Sequence, residues 1–333
     1  MSQIAFFIGS FSIYWFGIII AVALLAATAV AVLCRKMQGK DSRAVLFVAG
    51  AGSFLSLYLS RIVHWYCCDE QYESFMAAVS NIKEGGFSIL GVFIGSVLAV
   101  FLAKLIGLEK DAASLFDCIA PGGALGISIG RLGAMFTSSD KGKVIIDHPF
   151  FQRLPFAVQV NEGSGEWQLA TFAFESFAAA VGFFICLTMF SRIYSGQRGG
   201  VNYRHGDAAL IFTAFYGATQ AVLESTRYDA LFMRSNGFVS MMQVLSSIAL
   251  VAVLVVFSVR AVKSTGYTQS YLVTWISTLL LIVAAMMLEY LVQRNGEKAV
   301  LFYACMIVCM MSVFFTTLKL YRISVYKSEV GVN

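Results

Sequence analysis

The sequence predicts an all-α protein, a polytopic transmembrane helix bundle carrying a small cap outside the bilayer. Three observations predict it: the composition, the recurrence of long apolar runs, and the uneven placement of charge. Of 333 residues, 59% are hydrophobic and only 13% are charged, with a mean hydropathy of +0.77. A water-soluble domain of this size needs a far more charged surface, so the chain belongs in lipid. No nucleic-acid partner is expected.

Apolar runs of about 20 residues, each long enough to cross a hydrocarbon core of about 30 Å, recur along the whole length. They predict nine spans, at 11–34, 44–66, 87–107, 115–137, 170–190, 207–226, 238–259, 270–290 and 299–318. The first run has neither a basic leader nor a small-residue cleavage site, and reads as a retained span. If alternate loops, starting with the one after the first span, face the cytoplasm, they hold 14 Lys and Arg residues against 8 on the other side. The positive-inside rule then puts the N-terminus outside and the C-terminus in the cytoplasm.

Most connections are short. Residues 138–169 form a longer polar segment on the outer side, and loops of that length tend to be functional. Cys34, Cys118, Cys186, Cys305 and Cys309 fall within or at the ends of apolar runs and read as small buried hydrophobes. Only Cys67 and Cys68 lie in a loop, and no spacing resembles a zinc site, so neither metal nor cofactor is expected.

Ionisable residues inside spans cost several kcal/mol at mid-bilayer and mark functional sites by default. Arg61, Arg131, Glu175, Glu224 and Arg227 come from four spans and fall at one depth, near the outer ends. Any one of them alone reads as a side chain snorkelling to the interface. Together they suggest a site: Glu224 and Arg227, one helical turn apart, pair on one face, leaving Arg131 and Arg61 as clamps for an anionic lipid phosphate. The run from Pro121 to Gly133 places Gly122, Gly126 and Gly130 four apart, a smooth face suited to close helix packing. Gly91 and Gly95 repeat that spacing in the third span. Glu289 falls near an outer end, where it can reach water.

Several segments, in order, resemble the prolipoprotein diacylglyceryl transferases over about residues 12–260. They are Ser12-Ile-Tyr-Trp-Phe-Gly, Ser60-Arg-Ile-Val, Glu84-Gly-Gly-Phe-Ser-Ile-Leu-Gly, Asp117-Cys-Ile-Ala-Pro, Gly130-Arg-Leu-Gly, Ala173-Phe-Glu-Ser, Tyr216 with Glu224, Arg227 and Asp229, and Ser240-Met-Met-Gln243. The resemblance implies a seven-helix core with an extracytoplasmic cap over 1–262, including the cap at 138–169. Residues 263–333 are then an added two-helix hairpin and tail. It implies transfer of the diacylglyceryl group of phosphatidylglycerol to the lipobox cysteine thiol of a prolipoprotein, in a bacterial cytoplasmic membrane. The implied partners are phosphatidylglycerol, the lipobox peptide and membrane lipids. The implied site has Glu224 and Glu175 as catalytic residues, with Arg131, Arg61, Gly130, Gly133, Tyr216 and Arg227 holding substrate.

The chain departs from the family pattern at Leu90, where the family carries histidine, and at Gln220, where it carries arginine. Phe16 replaces a tyrosine, and Ala134 and Ser139 stand where asparagine and glutamate follow the glycine-arginine motif. A thiol attacks only as thiolate and needs a base or a positive field to form one. Leu90 supplies neither, so Glu175, Glu224, Asp140 and His148 become candidate bases, with His64 at the outer end of the second span. Two other readings stay open: a catalytically silent relative that binds phospholipid or lipoprotein, and a transporter. The second is disfavoured because the charges cluster near one face rather than at a midplane site.

Overall fold

The computed structural model describes residues 3–80, 85–137, 141–159, 165–195, 203–233, 236–295 and 298–325. Nine long helices among these residues match the nine expected spans: α1 (Trp15–Met37), α2 (Arg43–Cys67), α4 (Ile89–Leu105), α5 (Ala112–Leu132), α6 (Thr171–Tyr194), α7 (Asp207–Thr226), α8 (Met241–Thr265), α9 (Gln269–Arg294) and α10 (Ala299–Val325). A tenth, α3 (Phe75–Ser80), is a short loop helix. Seven of the nine are long and apolar enough to cross a membrane. Of the other two, α4 is apolar but has only 17 residues, and α7 is the buried axis of the bundle, with 15 of its 20 residues covered. Large side chains such as Leu25, Leu105 and Phe177, each at least 70% exposed, project from the outside of the bundle. This is the outward-apolar surface of a multi-pass membrane protein.

The first span starts later than the run of apolar residues suggests. Residues before Trp15 form a hairpin of β1 (Ile4–Ile8) and β2 (Phe11–Tyr14), and Tyr14 is extended, so α1 opens at Trp15. The segment expected as a cap contains a second small hairpin, β3 (Ala157–Gln159) with β4 (Trp167–Leu169). Residues 138–140 and 160–164 lie outside the described residues. A third hairpin, β5 (Phe232–Met233) with β6 (Asn236–Ser240), leads into α8. There the Ser240-to-Gln243 motif is a capping box: the Ser240 hydroxyl accepts from Gln243 N, and the Gln243 side-chain amide oxygen accepts from Ser240 N. Two backbone donors that lipid could not satisfy are thereby paired.

Lipid gives helices no hydrophobic reason to associate, so small residues that let backbones touch carry the packing. A Cβ on Gly91 would stand 2.2 Å from the Ser60 backbone, and one on Gly95 would stand 2.5 Å from Ser56 N, which fixes α4 on α2. A Cβ on Gly122 would come within 2.3 Å of the Ala27 carbonyl oxygen, which fixes α5 on α1. The spaced glycines are therefore seams. At the end of the bundle away from Arg131, buried Asp117 accepts from Gly206 N at 2.6 Å, Ala209 N at 3.1 Å and the Tyr194 hydroxyl at 3.0 Å. It thus satisfies the free amides at the start of α7, the role of an N-terminal cap supplied from a neighbouring helix. Arg260 on α8 holds Asp207 at 2.5 Å.

The largest core joins α7 and α8 to α9 and α10, through Phe215, Leu250, Phe257, Tyr271, Tyr303 and Phe314. The hairpin of α9 and α10 therefore shares its interior with α7 and α8. Glu289 of α9 is 6% exposed. The expectation that it reaches water is corrected: α7 and α8 supply donors for its carboxylate and close over it.

Candidate functional site

Three helices bring their charges together at one end of the bundle. Arg131, in the last turn of α5, lies 3.0 Å from Glu175 of α6, and the carboxylate is fully buried. Gln220 of α7 donates its amide to Glu175 at 2.9 Å and to Glu224 at 3.5 Å. Glu224 accepts from Arg227 at 3.2 Å, and Arg227 also bonds Asp229 at 3.1 Å. The result is a continuous polar path, Arg131–Glu175–Gln220–Glu224–Arg227–Asp229, crossing the interfaces of α5, α6 and α7. Burying such charges is tolerated only because each carboxylate meets a guanidinium and an amide.

Tyr216 lies one turn before Gln220 on the same face. Its ring packs between Phe93 and Phe212 at centroid distances of 5.5 and 5.6 Å. Its hydroxyl is buried beside Arg131, Glu175 and Glu224, and among the described residues no partner meets it in hydrogen-bond geometry. A buried hydroxyl in that state is ready to bond a ligand. On the far side of α5, Gly130 and Gly133 face α1: a Cβ on either would meet Ile20 at 3.4 Å or Phe16 at 3.0 Å.

Arg61 is placed differently. It is 1% exposed, and it is held by residues between α2 and α4. It donates to the Ala78 carbonyl at 2.8 Å, to Tyr72 at 3.1 Å and to the carbonyls of Gly85 and Gly86, and lies against the Phe87 ring. Of the candidate bases, Asp140 lies outside the described residues. His148 accepts from Phe150 N in a surface turn, and His64 meets the Tyr72 hydroxyl at 2.8 Å.

The last turn of α7 gathers the surroundings of the site. Thr226 meets the Thr171 hydroxyl of α6 at 3.0 Å, and its carbonyl accepts from Lys143 N at 2.7 Å. Arg227 forms a backbone bridge with Gly142, and Tyr228 N donates to the Lys141 carbonyl at 2.8 Å. The cap segment is thus sewn to the helix that carries Glu224.

A model of the prolipoprotein diacylglyceryl transferase family matches residues 3–259. The chain belongs to the prolipoprotein diacylglyceryl transferase family. Within this transferase family it is similar to the phosphatidylglycerol–prolipoprotein diacylglyceryl transferase of Clostridium kluyveri, at 27% identity over 252 residues, 75% of this chain and 93% of the relative. The enzymes of the same name from Lactobacillus delbrueckii subsp. bulgaricus and Staphylococcus epidermidis are 26% and 24% identical, covering 79% and 83% of this chain and 92% and 95% of their own lengths. The match to the transferase family ends inside α8, so α9 and α10 lie beyond it.

The sequence pointed to Arg131, Glu175, Glu224 and Arg227 by their charge and depth. It did not point to Gln220 as the bridge between the two carboxylates, because a neutral amide carries no cost that would draw attention to it in a span. Its spacing of four from both Tyr216 and Glu224, which puts all three on one helical face, was the available signal.

Proposed function

We propose that the protein transfers the diacylglyceryl group of phosphatidylglycerol to the lipobox cysteine thiol of a prolipoprotein, in a bacterial cytoplasmic membrane. On this reading the N-terminus is outside and the C-terminus cytoplasmic. The sulfur attacks the glycerol carbon that bears the phosphate, the carbon–oxygen bond breaks, a thioether forms, and glycerol 1-phosphate leaves. The observation that carries the reading is the buried polar path from Arg131 to Arg227 beside the Tyr216 hydroxyl, in a chain of this family.

The roles follow from exchange of partners. A phosphate arriving at Arg131 competes with Glu175 for the guanidinium, which can bind a phosphate through parallel N–H groups. Glu175, released from its cation, becomes the better proton acceptor and takes the thiol proton. Glu224 and Arg227 form the second such pair, so that Glu224 shares the catalytic part and Arg227 the phosphate. Tyr216 donates its hydroxyl to the same anion. Gly130 and Gly133 serve by letting the Arg131 turn sit close to α1, and Arg61 serves by holding Tyr72, Ala78 and Gly85 to Phe87 against α2. Leu90 and Gln220 remove a base and a cation from the family pattern, which leaves the two carboxylates to activate the thiol.

The test is mass spectrometry of a lipobox-cysteine peptide incubated with phosphatidylglycerol and the purified protein, with Arg131→Ala as control. Diacylglyceryl thioether that disappears in the control supports the reading. No thioether, with phosphatidylglycerol still bound, assigns the chain to the silent, lipid-binding relatives. Ion-coupled solute uptake by reconstituted protein would revive the transporter.

A further inference from the structure

The last turn of α7 is held from the side of the added hairpin as firmly as from the cap. Ser225, next to Glu224, donates its hydroxyl to the Glu289 carboxylate of α9 at 2.5 Å, and its carbonyl accepts from the Tyr303 hydroxyl of α10 at 3.2 Å. Glu289 also accepts from Gln243 of α8 at 3.2 Å and from Gln293 at 3.1 Å. Gln243 in turn donates to the Ala221 carbonyl of α7 at 3.3 Å. Both helices of the hairpin therefore grip the residue between Gln220 and Arg227 that follows the site carboxylate. Each of the three donors to Glu289 is uncharged, so no ion pair among the described residues explains a carboxylate buried at 6% exposure. Burying such a group costs several kcal/mol unless its oxygens are bonded. Two of its three bonds tie it to α7, one directly through Ser225 and one through Gln243, which also bonds the Ala221 carbonyl.

We propose that Glu289, with Tyr303, is a positioning residue: the hairpin beyond residue 259 fixes the end of α7 and thereby the distance from Glu224 to Gln220 and Arg227. This rests on the transferase reading only for its kinetic consequence. The role is acceptor geometry, not charge. A glutamine can keep its oxygen toward Ser225 and Gln243 while its amide donates to Gln293, once the Gln293 amide has turned to present its oxygen.

The experiment uses the full chain in detergent or nanodiscs, with Glu289→Ala, Glu289→Gln and Tyr303→Phe. Hydrogen exchange is read over residues 221–228, and kcat and KM for phosphatidylglycerol are read on the folded fraction. Glu289→Ala is expected to speed exchange in that turn and to lower kcat about tenfold, as a misplaced catalytic group does, while KM changes less than twofold. Glu289→Gln is expected to recover kcat to within about threefold of wild type, since an amide oxygen accepts the hydrogen bonds from Ser225 and Gln243. Tyr303→Phe, which loses one bond, falls between. Unchanged exchange at 221–228 and unchanged kcat in Glu289→Ala would overturn the inference, as would Glu289→Gln being as impaired as Glu289→Ala. Should the wild type form no thioether, the functional reading fails by itself, and the exchange of residues 221–228 still decides the role of Glu289.

Discussion

The side-chain amide of Gln220 donates to Glu175 across the α6–α7 interface at 2.9 Å. A second, longer contact to Glu224 at 3.5 Å makes one amide the link between two buried carboxylates. Without it, two like charges would face each other in a medium that screens them poorly. Gln220→Ala is therefore expected to lower turnover about tenfold, the equivalent of one to two lost hydrogen bonds of about 1 kcal/mol each. Gln220→Glu, which adds a third carboxylate, is expected to lower both turnover and thermal stability further. The measurement is thioether formation beside a melting curve in the same detergent. Equal activity of Gln220→Ala and wild type would remove the amide from the mechanism.

Arg131 is the guanidinium that faces the buried Glu175 carboxylate, at 3.0 Å. Removing it strands a buried carboxylate, a change that typically costs about 3–5 kcal/mol. Arg131→Ala is expected to abolish binding of phosphatidylglycerol vesicles and to lower the melting temperature. Arg131→Lys should recover stability better than binding, because an ammonium cannot present two parallel N–H groups. Arg322→Ala, in the last turn of α10, serves as the comparison; an equal loss there would show that Arg131 acts only through total charge.

Glu224 and Arg227 pair at 3.2 Å, but Arg227 is shared with Asp229. Reversing both partners should rescue part of the activity lost in either single reversal. The rescue stays partial because Asp229 then faces a carboxylate at position 227. Adding Asp229→Lys should improve it, and a triple variant no better than the double one would show that Asp229 is not part of the pair's surroundings.

Gly91 and Gly123 give a paired test of the seams. Gly91→Ala drives a methyl into the Ser60 backbone, whereas a Cβ at Gly123 meets nothing within 4 Å. The first is expected to cost several kcal/mol, since backbone cannot yield as a flexible side chain does. The second should be neutral or slightly stabilising through helix propensity. Melting in detergent separates them.

The helices were legible because lipid imposes length and hydropathy so strictly that nine apolar runs had little choice of structure. The site was legible by the cost of burying Arg131, Glu175, Glu224 and Arg227. Distance along a span gives depth but says nothing of which way around the bundle a helix stands, so the contacts of Arg61 with Tyr72, Ala78 and Phe87 had no signal in the sequence. Those residues lie between α2 and α4, where no long apolar run marks the path. Glu289 was misjudged, since a residue near a helix end is water-exposed only if no other helix covers it. The hydrogen bonds of Ser225, Gln243 and Tyr303 join residues far apart in sequence, and no local pattern announces them.

The glycine seams have a consequence for traffic within the bilayer. Where Gly91 meets Ser60, and where Gly122 meets Ala27, the two backbones are in contact with no side chain between them. A hydrocarbon tail is wider than either gap. A two-tailed lipid moving sideways between the membrane and the interior of the bundle is therefore barred from both seams at these levels, and must part a pair of helices that side chains, not backbones, hold together.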